Sequence, residues 1–299
     1  MTAEQNPRRI EGIVLIAVTY AIFPLSDVAA KYLTESWHVL QISWARYVMQ
    51  ILLLVPFVLA RHPLSILRTR HHTLQFARGF FGFASNIPFV IALSFVSVAD
   101  AFATGLMGPL ILTALSVPLL GEKVGWRRWA AVFVAFLGAM IVVRPGLGIV
   151  HWATALPLLA SVMFALYQIC TRKLNAHDHP EGTLLYGAVW GLVFGACVVP
   201  FVWTTPTWHD LALVAALGLA SSVSHFLLVR AIRFAPMSLL APFSYSQMIS
   251  AVAVTFLFWG DLPDFFTIVG AGVIAASGLY VAQREARLAR AGRLQAKAS

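Results

Sequence analysis

The chain has 299 residues, of which 60% are hydrophobic and 11% are charged, and its formal net charge is +9. Soluble domains carry about 25% charged residues, so this composition excludes a soluble globular protein and predicts an integral membrane protein. In a soluble protein the positive charge would indicate nucleic acid as a partner, but in a membrane protein its placement indicates topology. A helix needs about 20 residues to cross the hydrocarbon core, so the length allows about ten crossings.

Ten apolar segments follow one another along the chain, most of them joined by short connections. They cover approximately residues 11–33, 38–60, 73–95, 98–120, 126–144, 151–172, 182–203, 209–231, 237–260 and 264–283. The first segment runs directly into further spans, so no cleavable signal peptide is predicted. The sequence therefore predicts an all-α integral membrane protein with ten transmembrane helices and no separate soluble domain.

The positively charged residues are concentrated in every second connection, counted from the N-terminus. These connections hold most of the 21 lysine and arginine residues, including the basic tail at residues 286–299. Because positive residues stay on the cytoplasmic side, both termini are predicted to be cytoplasmic, and the tail is predicted to lie at an anionic membrane surface. Arg46 and Arg78 are exceptions, since they lie within the second and third segments.

The stretch 79–142 recurs in the second half of the chain as the stretch 218–281. This superposition places Gly121 on Gly260 and Asn86 on His225 without a gap. The predicted starts and ends of the helices coincide at the same offset, which makes the repeat credible despite few identities. An internal repeat in a membrane chain indicates a transporter.

Each half of the chain holds five segments, so the second half enters the membrane in the opposite orientation. The sequence thus predicts two inverted five-helix repeats, residues 1–145 and 150–285, related by a pseudo-twofold axis in the membrane plane. This arrangement places a substrate site near the midplane, between two gates related by symmetry. It suits alternating access.

A stripe of polar residues on the first segment is predicted to line a central cavity, because polar groups are costly in hydrocarbon. Tyr20, Pro24, Asp27 and Lys31 have spacings of 4, 3 and 4, which place them on one helical face. The sixth segment, which is equivalent in the repeat, shows the same spacings, with Gln168 at the position of Asp27.

Three charged residues are candidates for coupling or gating. Asp27 and Lys31 could form an ion pair four residues apart, or Asp27 could carry a proton, as the only carboxylate clearly within a span. Arg46 could act as a gate or bind a carboxylate, while snorkelling to the interface is the alternative for this side chain.

Seven residues are predicted to contact the substrate, because they lie on polar stripes, at paired repeat positions or beside helix-breaking prolines. They are Tyr20, Asn86, Met107, Gln168, His225, Tyr245 and Gln247. His225 could ligate a metal, move protons or hydrogen-bond the substrate, whereas bonding to a neighbouring helix is the structural alternative. Pro109 in the fourth segment could bend that helix or be a tolerated kink.

A membrane-embedded enzyme is the competing class of function. Ser85 and His225 suggest a nucleophile and a base, but no nucleophile motif surrounds the serine. The loop histidines lack paired metal-ligand spacing on one helix, and Cys170 and Cys197 lie in apolar runs, where a disulfide is not expected. We therefore predict no catalytic residue, no cofactor and no metal site. The predicted partners are a small-molecule substrate and the lipid bilayer, without nucleic acid.

The sequence resembles the drug/metabolite transporter superfamily, specifically its EamA-type members with ten helices. Pro109 followed by the segment 119–122 (Leu-Leu-Gly-Glu) and by Gly138-Ala139 carries the resemblance in the first half. Trp259-Gly260-Asp261 is a degraded echo in the second half, with aspartate in place of the usual glutamate.

This resemblance implies ten helices, cytoplasmic termini and export of small metabolites. Within the group, the sequence looks most like bacterial amino-acid exporters of the YddG type, which implies export of aromatic and other amino acids across the inner membrane by alternating access. Export of drugs or other metabolites, and passive facilitation, are the alternatives. The internal repeat supplies the twofold symmetry that smaller relatives obtain by dimerising, so a monomer is expected.

Overall fold

The computed structural model describes residues 5–121, 126–143, 152–174, 177–234 and 246–298. The fold is 87% helical, and the described residues form no β-strand. The helices are α1 (Gln5–Leu33), α2 (Val39–Arg61), α3 (His72–Leu93), α4 (Val98–Gly105), α5 (Gly108–Leu120), α6 (Trp126–Val143), α7 (Leu156–Leu174), α8 (Pro180–Val198), α9 (Trp208–Phe234), α10 (Gln247–Trp259) and α11 (Phe265–Ala298). Short 3-10 turns occur at Leu64–Leu67, Trp152–Ala155 and Val199–Phe201.

Several helical stretches are long and apolar enough to cross a membrane. Within the described ranges there are seven, namely Ile10–Leu33, Val39–Arg61, His72–Leu93, Val98–Leu120, Trp152–Leu174, Glu181–Phe201 and Trp208–Leu228. Three further helical stretches are also apolar but shorter, at Trp129–Val143, Gln247–Trp259 and Phe265–Tyr280. The prediction of an all-α, multi-pass fold is confirmed, while ten crossings with cytoplasmic termini remain a prediction.

The fourth apolar stretch is broken into two helices, α4 and α5. Pro109 has no backbone N–H, so the carbonyl of Gly105 lacks the helical donor it would otherwise have four residues later. Ser161 on α7 takes over this role, since its Oγ donates to Gly105 O at 3.3 Å. Irregular backbone at membrane depth requires burial within the protein, and Met107 in the break is only 5% exposed. The break is therefore a supported part of the fold.

The helices α5 and α10 display the repeat most directly. Both have 13 residues, and both end at a glycine in the left-handed region, Gly121 with φ 68° and Gly260 with φ 72°. A residue without Cβ adopts this conformation without strain and closes the last helical turn. Glu122, the acidic neighbour of the first of these glycines, lies outside the described residues. After Gly260, the N-terminus of α11 is capped by Asp264, whose Oδ1 accepts from the amide of Thr267 at 2.7 Å. The adjacent Asp261 does not make this hydrogen bond.

The two halves pack against each other in pairs that exchange under the repeat. Helix α1 packs on α9, and its mate α7 packs on α3; likewise, α2 contacts α9 while α8 contacts α3. Helix α1 contacts α10, and correspondingly α7 contacts α5. Two further contacts join helices that are equivalent in the repeat, namely α2 with α8 and α6 with α11. A pseudo-twofold axis between the halves predicts this exchange of partners, and the inverted orientation of the two repeats stays a prediction.

Candidate functional site

A polar cluster lies where α2, α3 and α7 meet. Asn86 Nδ2 donates to Tyr47 Oη at 3.2 Å and to Gly82 O, one turn earlier on α3, at 2.8 Å. A Cβ added at Gly82 would lie 3.1 Å from the ring of Tyr167 and 3.6 Å from Tyr47 Oη. The absence of a side chain at this position therefore lets the two tyrosines converge beside Asn86.

Arg78 enters this cluster from the N-terminal half of α3, and its side chain is more deeply engaged than the sequence indicates. Its Nε donates to Thr171 Oγ1 at 2.8 Å, Nη1 donates to Thr183 O at 2.6 Å, and Nη2 donates to Tyr167 Oη at 2.6 Å. The residue is only 3% exposed. A Cβ added at Gly187 on α8 would overlap Nη1, so the glycine leaves the space that the guanidinium fills.

Asp27 on α1 forms an ion pair with Arg46 on α2, with Arg46 Nη2 at 2.9 Å from Asp27 Oδ1. The arginine does not snorkel to the interface, because its side chain is 11% exposed and that of Asp27 is 7% exposed. Two alternatives from the sequence are therefore wrong, namely that Asp27 pairs with Lys31 and that Arg46 snorkels to the interface. The pair is electrically neutral.

Lys31 instead connects the C-terminal end of α1 to the end of α3. Its Nζ donates to Leu93 O at 2.8 Å and to Val96 O at 2.6 Å. These are carbonyls at a helix C-terminus, where a positive charge is favourable. The ammonium also lies 5.7 Å from the ring centroid of Trp259 on α10, and the neighbouring Tyr32 stacks on this tryptophan at 5.0 Å. Lys31 thus joins three helices at one end of the bundle.

His225 contributes to the centre from α9. Its Nδ1 lies 2.8 Å from Ser221 O, and because a carbonyl only accepts, Nδ1 carries the hydrogen and the neutral ring keeps Nε2 as an acceptor. The ring meets Phe23 on α1 edge-on at 5.2 Å. His225 thus lies on α9 where this helix packs against α1.

The other predicted contact residues differ in their burial and in their contacts. Tyr20 has its ring 6.2 Å from that of Phe23, and Gln168 and Gln247 are half-buried. Within the described part of the chain, the side chains of the two glutamines have no hydrogen-bond partner. Met107 packs into an apolar cluster at the break between α4 and α5.

Tyr245 lies outside the described residues. Ser85 and His225 do not bond to each other, since Ser85 Oγ donates to the carbonyl of Gly82, at 2.8 Å. Cys170 and Cys197 are free thiols, the first buried and the second exposed. The ranges that the structure describes contain no group of three or more histidine, cysteine, aspartate or glutamate residues arranged to hold a metal ion.

The EamA-like transporter family matches two parts of the sequence, residues 10–144 and 151–282. The chain belongs to the EamA-like transporter family. The two matches correspond to the two halves of the chain, so an EamA unit is present twice. Membership of this family supports a membrane-embedded transporter rather than an enzyme.

The curated relatives of this EamA protein are transporters of different small molecules. The S-adenosylmethionine uptake transporter of Rickettsia bellii (strain RML369-C) is 29% identical over 261 residues, or 87% of this chain and 89% of that protein. The riboflavin transporter of Rhizobium johnstonii is 27% identical over 295 residues, or 96% of each protein. Pseudopaline exporter CntI of Pseudomonas aeruginosa (strain UCBPP-PA14) is 24% identical over 272 residues, or 89% of this chain and 94% of that protein.

A solved crystal structure has the same fold. It superposes with a TM-score of 0.62 at 17% sequence identity and covers 93% of this chain and 98% of its own. At this identity the likeness concerns the fold alone, and the substrate has to be inferred from the polar residues at the centre.

Proposed function

We propose that this EamA protein is a secondary transporter that carries amino acids or amino-acid-like metabolites across the bacterial inner membrane by alternating access. The observation that carries the proposal is the convergence of polar side chains from both halves on one buried region. Arg78 and Asn86 reach it from the first half, and Tyr167 and Thr171 reach it from the second half. Polar groups at membrane depth mark substrate or ion pathways in transporters.

The chemistry of this region suits a small zwitterion with a ring or apolar side chain. Nε2 of His225 and the amide of Gln168 can bond an ammonium or an amide, while the rings of Tyr20 and Phe23 provide an aromatic surface nearby. S-adenosylmethionine, carried by the relatives from Rickettsia, itself contains an amino-acid group and a purine. A substrate of amino-acid type is therefore compatible with both the site and the relatives.

The charged residues at the ends of the cluster fit roles in access. Lys31 holds the ends of α1 and α3 together beside Trp259, so we propose that it belongs to the outer gate. The Asp27–Arg46 pair joins α1 to α2, and separation of this pair is the candidate step for coupling. The protein is proposed to act as a monomer, with both termini in the cytoplasm.

The proposed direction of transport is export, as the family resemblance implies. Uptake is the second candidate, favoured by the similarity to S-adenosylmethionine uptake transporters over 87% of the chain. Transport into right-side-out and into inverted vesicles, each driven by the same gradient, distinguishes the two directions. A passive channel would show neither saturation nor counterflow.

The proposal is tested by counterflow of radiolabelled L-phenylalanine, L-leucine, L-methionine, S-adenosylmethionine and riboflavin in proteoliposomes. Alanine at Asn86, His225 or Gln247 should lower the rate for the transported compounds. Ser224→Ala is the matched control, because Ser224 Oγ donates to the carbonyl of Ala220 on its own helix, at 2.8 Å. If the three site variants transport every compound at the wild-type rate and at equal protein levels, the site is wrong. If no amino acid or S-adenosylmethionine is carried, the substrate class is wrong.

A further inference from the structure

Arg78 is a buried cation whose hydrogen-bond partners among the described residues are all neutral. The guanidinium stays charged at any physiological pH, and its hydrogen-bond acceptors are two hydroxyls and a carbonyl, on Thr171, Tyr167 and Thr183. Across the described ranges, no carboxylate lies within ion-pair distance of it. Arg46, by contrast, has Asp27 at 2.9 Å. A buried charge needs an opposite charge, so the cluster carries an unbalanced positive charge at Arg78.

The donors of Arg78 are also incompletely used. A guanidinium has five N–H groups in a planar fork, and three of them are engaged by the neighbours just named. One N–H remains on each terminal nitrogen. A carboxylate oxygen that accepts from either of these groups forms a hydrogen bond stronger than one between neutral groups.

A purely structural role does not require this charge. One turn earlier on α3, Gln75 connects this helix to α8 and to the preceding loop with a neutral side chain, since its Nε2 donates to Thr183 Oγ1 at 3.3 Å and to Asp178 Oδ2 at 2.8 Å. Hydroxyl and carbonyl acceptors like those around Arg78 can be satisfied by such an amide. The space that Gly187 leaves shows that the packing of α8 accommodates the larger guanidinium at this position.

The guanidinium lies at the edge of the polar cluster rather than apart from it. Its Nη2 bonds Tyr167 Oη at 2.6 Å, and the ring of Tyr167 lies across Gly82 from Tyr47, which receives the hydrogen bond of Asn86. A molecule bonded to Asn86 and to the two tyrosines would therefore have Arg78 beside it.

We propose that Arg78 binds the carboxylate of the transported molecule and makes this protein selective for carboxylic acids over their amides. The proposal rests on the proposed function and adds the group that the site recognises. Compounds without an acidic group then bind weakly.

The test compares each acid with its amide, which differ in charge but hardly in size. The probes are L-phenylalanine, L-leucine and L-methionine with their amides, used as competitors of counterflow in proteoliposomes. In the wild type, each acid should bind about 10–100-fold more tightly than its amide, the effect of one charge-assisted pair. In Arg78→Gln this ratio should fall to about 1, because glutamine bonds acid and amide alike.

Two further variants separate recognition from structure. Arg78→Lys keeps the charge but loses the fork, so it should keep a ratio intermediate between those of wild type and Arg78→Gln; it also serves if the glutamine variant does not fold. Thr171→Val removes one neutral partner of Arg78 and should leave the ratio of acid to amide at the wild-type value, whatever it does to stability.

The possible outcomes distinguish the two proposals. If the wild type transports amino acids but binds acids and amides equally, or if Arg78→Gln is folded and keeps the wild-type ratio, the role of Arg78 is refuted and the proposed function stands. If neither the three amino acids nor S-adenosylmethionine are carried or compete, the proposed function fails, and the carboxylate role of Arg78 fails with it.

Discussion

The ion pair between Asp27 and Arg46 leads to a specific expectation for a double-mutant cycle. Arg46 Nη2 and Asp27 Oδ1 lie 2.9 Å apart, and the side chains are 11% and 7% exposed. Two unit charges about 4 Å apart attract each other by about 4 kcal/mol at an effective dielectric constant of about 20. Removal of one partner leaves the other charge buried, which costs about 3–5 kcal/mol. We expect Asp27→Asn and Arg46→Gln each to destabilise the protein by this amount.

The double variant Asp27→Asn/Arg46→Gln should be more stable than either single variant, because it leaves two neutral amides side by side. The measurement is the apparent Tm of the purified protein in one detergent. A change of 1 kcal/mol corresponds to roughly 2–4 °C in a domain of 150–250 residues, so each single variant should lose about 6–20 °C. If the losses of the single variants add up in the double variant, the two charges do not stabilise each other and the reasoning from burial is refuted.

Three further predictions concern packing, gating and topology. Gly187→Ala should lower the apparent Tm through overlap with the guanidinium, by about 1–3 kcal/mol, whereas Gly272→Ala should not, because its Cβ would meet nothing within 4 Å. The gate is tested with Ala101→Cys in a background without the native cysteines. Lys31→Met should increase labelling of this cysteine by an impermeant maleimide added on the periplasmic side. Unchanged labelling would contradict a role of Lys31 in the outer gate. A fluorescent protein at the C-terminus should fluoresce and a phosphatase fused after residue 145 should be active, and the opposite pattern would reject the predicted topology.

The features that were predicted correctly are those with a local cause. The end of a helix depends on neighbouring residues, here an apolar run followed by a glycine. The repeat therefore predicts the ends of two equivalent helices, and these helices end at Gly121 and Gly260. For Pro109 the sequence left a bend and a tolerated kink open, and the structure shows a break, since this residue lacks the N–H that the carbonyl of Gly105 would need. The predicted substrate residues remain a hypothesis that the counterflow measurements have to test.

The partners of the charged residues depend on tertiary packing and could not be predicted. Lys31 is the cation nearest to Asp27 along one helix face, yet Arg46 reaches the carboxylate from the next helix, 19 residues away. The acceptors of Arg78 are 89 to 105 residues away, on α7 and α8. The only signal in the sequence was an arginine within an apolar run, for which no local pattern names a partner.

The position of Arg78 has a consequence for the origin of the two halves. The same offset that pairs Gly121 with Gly260 places Leu217 opposite Arg78, and this leucine is fully buried. A homodimer of a single five-helix unit would have to bury two such arginines, one in each copy, and both would need a counter-charge. Once two copies of the unit are joined in one polypeptide, each position can mutate without its mate, so a lone cation becomes tolerable. Fusion of the halves therefore permits a single buried cation at one of two paired positions, which a symmetric dimer could not have.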